Sequence, residues 1–105
     1  MIKLMFVVLS LAGPALAADP EFTIQLHEHR FAPSEIKVPA GVKVKLVIDN
    51  QDASPEEFDS FALNREKIVF PNSKAIVFIG PLKPGRYEFI GEFNRQTANG
   101  VVIAE

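Results

Sequence analysis

Phe31-Ala32-Pro33-Ser34-Glu35-Ile36-Lys37-Val38-Pro39-Ala40-Gly41-Val42-Lys43-Val44 is the stretch on which the fold turns. Prolines at 33 and 39 keep a helix from running through it. Between them Ile36 and Val38 take one side of an extended segment, and Glu35 and Lys37 the other. Pro39-Ala40-Gly41 reads as a turn in which Gly41 takes positive φ. The alternation then resumes, with Val42, Val44, Leu46 and Ile48 set against Lys43 and Lys45 as far as Asp49-Asn50.

The same period-2 pattern continues in both directions. Upstream, Phe22, Ile24 and Leu26 oppose Thr23, Gln25, His27 and His29, which predicts a half-buried strand that Phe31-Ala32-Pro33 ends. Downstream, Gln51 to Pro55 is loop, and Glu57 to Leu63 reads as a strand with Phe58 and Phe61 on opposite faces. Asn64-Arg65-Glu66 turns the chain, and Glu66 to Val69 has room for one helical turn before a short extended piece, Ile68 to Phe70. Pro71-Asn72-Ser73 is a second turn and Ala75 to Ile79 a mostly apolar strand. Leu82-Lys83-Pro84-Gly85 fits a type II turn with Gly85 at positive φ. Arg86 to Phe93 is then a strand with Tyr87 and Phe89 inward, and Val101 and Ile103 close the chain. Seven or eight short strands punctuated by Pro and Gly predict an all-β domain, a Greek-key antiparallel β-sandwich. Its expected core draws on Phe31, Phe58, Phe61, Phe70, Phe78, Phe89 and Phe93.

Met1-Ile2-Lys3, the apolar run Leu4 to Ala12 and the A-x-A site Ala15-Leu16-Ala17 read as a secretory signal over residues 1–18, followed by one domain over 19–105. The expected location is the periplasm, with no membrane anchor, since no cysteine follows the apolar run and no later stretch is long enough to span a bilayer. The chain contains no cysteine, and its two methionines both lie in the leader. Without Lys3, ten Lys and Arg stand against thirteen Asp and Glu, a net charge of −3. The basic residues are scattered, so no stripe tracks phosphates and nucleic acid is not an expected partner. Neither a thiol nor G-x-S-x-G is present, which removes the usual hydrolase nucleophiles.

The opening stretch resembles the F-x-P-x-x-I-x-V-P-A-G-x-x-V signature of cupredoxin-like domains, and Leu82-Lys83-Pro84-Gly85-Arg86-Tyr87-Glu88-Phe89 is similar to that family's L-x-P-G-x-Y-x-F. In copper-binding members this motif leads into x-Cys, with a His and a Met a few residues on and a first His in the strand after the long loop. Those stations here read Ile90-Gly91, then Glu92 to Ala98, and Glu56-Glu57-Phe58-Asp59. With no thiolate, the resemblance implies the sandwich without a blue-copper centre. Glu57-Phe58-Asp59-Ser60-Phe61-Ala62-Leu63-Asn64-Arg65-Glu66-Lys67 and Ile79-Gly80-Pro81-Leu82-Lys83-Pro84-Gly85 are similar to a narrower branch, the periplasmic cupredoxin-like components of bacterial iron-uptake systems of the Efe and Ftr kind. This implies an accessory role in iron uptake, binding copper or iron beside an iron permease or a periplasmic metal-binding partner protein.

The expected metal ligands are His27, His29, Glu57, Asp59, Glu92 and Glu66. On an extended chain His27 and His29 share a face with Cα atoms roughly 6.5 to 7 Å apart, close enough for both imidazoles to reach one ion. The plainer reading of the residues is a solvated pair at a strand end, and the resemblance brings the metal reading closer. Glu57 and Asp59 share a face opposite Glu56, and an acidic edge that discourages strand addition is the plain alternative. Glu66 has Arg65 and Lys67 beside it as ion-pair partners, and Arg95 is available to orient a carboxylate. An imidazole and carboxylate set suits Cu(II), Fe, Mn or Zn and offers Cu(I) no soft donor, and the cofactor expected from it is Cu(II) or Fe. A site shared with a partner or with a second copy in a homo-oligomer accommodates an incomplete set. The alternative function is a metal-free β-sandwich adaptor of a periplasmic transport complex.

Overall fold

The computed structural model describes residues 18–105, so the expected leader lies outside the described residues except for Ala18. The described residues form nine strands and one 3-10 turn: β1 Glu21–His27, β2 Arg30–Ala32, β3 Glu35–Val38, β4 Val44–Asn50, β5 Glu56–Ser60, β6 Arg65–Val69, β7 Lys74–Ile79, β8 Gly85–Gly91, the 3-10 turn Glu92–Asn94, and β9 Asn99–Ala104. They form two facing sheets, one ordered β2-β1-β4-β7 and the other β3-β9-β8-β5-β6. The expected sandwich is present, with one strand more than the upper estimate. The extra strand is β2, where the chain does not simply break at Phe31 but pairs back on β1, with Leu26 opposite Phe31 and His27 opposite Arg30. Among the described residues no helix is long and apolar enough to cross a membrane.

Both sheets are mixed rather than purely antiparallel. β1 runs parallel to β4, with Glu21 opposite Lys45 and Leu26 opposite Asn50, and β3 runs parallel to β9. Parallel neighbours need a crossover. Between β1 and β4 the chain leaves for the second sheet as β3 and returns, so β4 arrives in the same direction as β1.

The alternation read from the sequence is the burial pattern of the core. Val44, Leu46 and Ile48 are buried on β4, Ile24 and Leu26 on β1, and Ile36 and Val38 on β3. Between the sheets the rings of Phe31, Phe58 and Phe89 meet, with centroids 5.2 Å apart for Phe31 and Phe89 in an edge-on pair and 5.1 Å apart for Phe58 and Phe89. Phe31 comes from the first sheet and the other two from the second, so the cluster joins the two layers.

Four expected core phenylalanines are outside it. Phe61, Phe70, Phe78 and Phe93 are exposed, Phe61 fully. Phe61 follows β5, which ends at Ser60, and so sits on a turn, while Phe78 is on the outward phase of β7, whose inward phase carries Ala75, Val77 and Ile79. Three local expectations also change. Glu66 to Val69 is strand, not a helical turn, because it pairs with β5 along its length. β8 stops at Gly91, and Glu92-Phe93-Asn94 coils into the 3-10 turn. Gly41 takes positive φ at 77°, but Gly85 does not. The glycine that does is Gly80, at φ 83°, where a Cβ would lie 2.7 Å from the Val42 carbonyl oxygen.

Phe89→Ala, which empties the centre of the inter-sheet ring cluster, is expected to cost about 3–5 kcal/mol. That is a large share of the stability of a small domain, so urea unfolding should show a cooperative transition for both proteins with the variant's midpoint moved to much lower urea.

Candidate functional site

One pole of the sandwich is built by the β1–β2 turn, the loop from Gln51 to Pro55, and the segment from Glu92 to Ala98. Here lie the stations at which the resemblance would place copper ligands. Glu56, the first residue of β5, is in phase with Phe58 and Ser60 and is buried, with 1% of its surface exposed. Its Oε1 accepts hydrogen bonds from the amides of Glu57 (3.0 Å) and Phe93 (2.8 Å), and its Oε2 accepts one from Asn94 Nδ2 at 2.7 Å. A buried carboxyl is tolerated only with such partners. No buried side-chain nitrogen or oxygen among the described residues lacks one.

Gly91 stands at the station of the missing thiol. A Cβ there would lie 2.6 Å from the Glu56 carboxyl carbon and 2.7 Å from the Ala98 methyl. A carboxyl group and its donors thus fill the space a thiolate and its metal would need. The donor set and the packing agree that a blue-copper centre does not fit this chain.

His27 and His29 lie at the same pole but not as two positions on one strand. β1 ends at His27, and Glu28 and His29 both take positive φ, 51° and 58°, in a two-residue hairpin turn. Such a conformation is costly for residues with a Cβ. Asp52 offsets the cost, its Oδ1 accepting the Glu28 amide at 2.7 Å and its Oδ2 the His29 amide at 3.0 Å. The imidazoles flank the same carboxylate, His27 Nδ1 at 3.9 Å from Oδ1 and His29 Nδ1 at 3.6 Å from Oδ2. Asp52 is held in turn by buried Asn50, whose Oδ1 accepts the Asp52 amide and whose Nδ2 donates to the carbonyls of Ser54, Val69 and Phe70.

The remaining expected ligands lie on the outer face of the second sheet. Glu57 and Asp59 project from β5, and Glu66 stands opposite Asp59 on β6. Their carboxylate oxygens lie within 4.8 Å of one another, the only such set of three acidic, imidazole or thiol groups among the described residues. Neither Glu66 nor Glu57 forms an ion pair there, so the expected pairing of Glu66 with Arg65 or Lys67 is absent. Partial desolvation on the strand face, then the charges of Glu66, Asp59, Glu92 and Glu56, raise the Glu57 carboxyl above its ordinary value. Glu92 is held by Arg95, whose Nη2 donates to both of its oxygens at 2.7 and 2.6 Å. The Glu92 hydrogen bond and charge, with a smaller contribution from Asp59, raise the Arg95 guanidinium above its already high value.

The six expected ligands therefore separate into three groups: His27 and His29 around Asp52, the triad Glu57, Asp59 and Glu66, and Glu92 closed by Arg95. Two residues that organise the pole, Glu56 and Asp52, were not among them. The period-2 phase shared with Phe58 was the signal available for Glu56. For Asp52 there was only its place two residues after a strand-ending Asn.

Comparison with known proteins places this geometry. The family model described as cupredoxin-like domain matches residues 1–104. An uncharacterized protein of Rickettsia prowazekii (strain Madrid E) is 43% identical over 83 residues, covering 79% of this chain, and the chain spans 66% of that protein's length. Among solved structures, the metal-binding domain of the Cu(I)-exporting P-type ATPase CopA of Streptococcus pneumoniae D39 superimposes with a TM-score of 0.72 at 14% identity, covering 81% of this chain and 84% of that one. Auracyanin A, a blue copper protein of Chloroflexus aurantiacus, does so with a TM-score of 0.71 at 15% identity, covering 84% of this chain and all of the other. At these identities the likeness is one of fold.

Glu56→Ala, which strips three donors of their acceptor, is expected to cost about 3 kcal/mol. Gly91→Ala should also destabilise, and the double variant should cost less than the two single costs together, because the clash with the Glu56 carboxyl is gone; a double-mutant cycle in urea measures the difference. The pH dependence of Glu57 has a definite sign. Its proton is held more tightly in the folded state, so its contribution to stability falls as pH rises from the ordinary glutamate range through the raised value. Glu57→Gln removes that fall, and thermal melts between about pH 4 and pH 8 should show the variant gaining on the parent at the upper end.

Proposed function

The chain belongs to the cupredoxin-like domain family, and on that premise we propose that it is a periplasmic metal-binding accessory protein of an iron-uptake system, holding its cation through carboxylates rather than at the blue-copper position. The observation that carries the reading is the convergence of Glu57, Asp59 and Glu66, three oxygen donors within 4.8 Å and without counter-ions among the described residues. Like charges so close repel until a cation enters, and oxygen donors suit hard ions such as iron. His27 and His29 beside Asp52 add a separate imidazole pair, a donor type that suits Cu(II). The iron-uptake context is supported by the similarity of the Glu57 to Lys67 stretch to Efe- and Ftr-type components, and the partners in that context are an iron permease or a periplasmic metal-binding protein.

A second reading rests on the Glu56 cluster. A pole whose ligand stations are filled by a satisfied hydrogen-bond network belongs equally to a metal-free adaptor that kept the sandwich and exchanged the site for rigidity.

Titration with Fe(II) under anaerobic conditions and with Cu(II), followed by calorimetry and EPR, separates the two. The metal reading expects stoichiometric iron binding that Glu57→Gln/Asp59→Asn abolishes, and Cu(II) binding with a tetragonal spectrum that His27→Ala/His29→Ala removes. Absence of both leaves the adaptor.

A further inference from the structure

Asp52 is a carboxylate without a fixed counter-ion at the histidine pole. Its side chain keeps only 12% of its surface exposed, and among the described residues no lysine or arginine pairs with it. The amides of Glu28 and His29 donate to one oxygen each. A carboxylate has about four lone-pair sites, so each oxygen keeps a second one. Beside them stand the chain's two histidines, His27 Nδ1 3.9 Å from Oδ1 and His29 Nδ1 3.6 Å from Oδ2. Neither approach is a hydrogen bond. Both match the spacing of two ligands on one ion, since bonds of about 2.0–2.2 Å to nitrogen and oxygen put neighbouring donors roughly 3 to 4 Å apart.

The three side chains differ in freedom. Asp52 is fixed by the two amides it accepts and, through its own amide, by the buried Asn50. The imidazoles are 64% and 47% exposed and change rotamer at little cost. Beside His29 a recess of about 370 Å³, walled by Phe93, Asn94, Arg95, Gln96 and Thr97, leaves room for that movement. The set does not close on one point as tightly as the acidic triad does, and an entering cation has only to draw two solvated rings onto a carboxylate already in place. We propose that Asp52 is itself a metal ligand and completes, with Nδ1 of His27 and Nδ1 of His29, a site for a borderline divalent cation of the Cu(II) or Zn(II) class. Resting on the imidazole pair already proposed, the site adds its third donor and is separate from the carboxylate triad. Two imidazoles and one carboxylate select against Cu(I), which prefers sulfur, and against Mg(II) and Ca(II), which prefer oxygen alone. The left-handed turn at Glu28 and His29 then has a use: it folds both histidines back on the carboxylate that holds it.

The test is a Zn(II) titration of ¹⁵N-labelled protein, with Cu(II) calorimetry alongside. Long-range imidazole spectra should show the Nδ1 resonances of both histidines moving on binding, together with the amides of Glu28 and His29. Asp52→Asn should lower the affinity by about a hundredfold. Because Asp52 also holds the turn, Glu28→Gly, which relieves the positive φ at that position, is made alone and combined with Asp52→Asn. The glycine variant is expected to bind within a few-fold of the parent, and the double variant as weakly as Asp52→Asn. Affinity restored in the double variant would make Asp52 a clamp and not a ligand, and coordination through Nε2 would put the cation away from it. Either result overturns the third donor while leaving the imidazole pair as a copper site. No binding of Zn(II) or Cu(II) by the parent would remove the pair and its third donor together.

Discussion

A carboxyl group buried at the mouth of a β-sandwich has to be surrounded by donors, and in this protein that requirement organises the whole pole. Glu56 lies in the inward phase of β5 beside Phe58, so strand geometry sends it inside whatever its charge. Its oxygens then draw the chain after β8 into a 3-10 turn that presents the Phe93 amide, and bring in the Asn94 side chain. β8 can come close enough only because residue 91 has no side chain. One buried glutamate therefore accounts for a glycine, a turn and an asparagine that are separate in the sequence, and the energy of the cluster lies in leaving none of its members unpaired.

Asn50 does the corresponding work on the first sheet. Its amide joins the end of β4 to carbonyls at the end of β6 and just beyond, tying the two layers together, and its carbonyl positions Asp52 under the β1–β2 hairpin. Hydrogen bonds thus run from sheet to loop to hairpin, and both histidines rest on their last member. The imidazole pair is a consequence of how the hairpin is held. The carboxylate triad depends on none of these bonds, since cross-strand register between β5 and β6 alone brings Asp59 opposite Glu66.

The sheet core was legible in the sequence wherever the deciding pattern is local. Val44, Leu46 and Ile48, Ile24 and Leu26, and Ile36 and Val38 alternate within a few residues and are buried as the alternation implies. The convergence of Glu57 with Asp59 on one face followed from the same period. What was not legible depends on contacts distant in the chain. Nothing near Glu28 and His29 announces a left-handed turn, because the acceptor that permits it is Asp52, more than twenty residues away. Phe70 and Phe78 are as hydrophobic as Phe58 and Phe89, but Phe78 takes the outward phase of β7 and Phe70 follows the buried Val69 past the end of β6, so both stay outside.

The two parallel strand pairs have an outcome for how the domain is displayed. Glu21 begins β1 beside Lys45, and the chain ends with the Glu105 carbonyl accepting the Ala40 amide and its own amide donating to Val38. The described residues therefore begin, at residue 18, and end, at Glu105, at the pole of the Pro39–Lys43 turn, opposite the histidines and Glu56. A fluorophore, a surface anchor or a fused domain attached at either end would hold the molecule upright with the loop pole outward, and a single-molecule pull between residues 18 and 105 would load β1 and β9, one strand in each sheet, before it reached the buried glutamate.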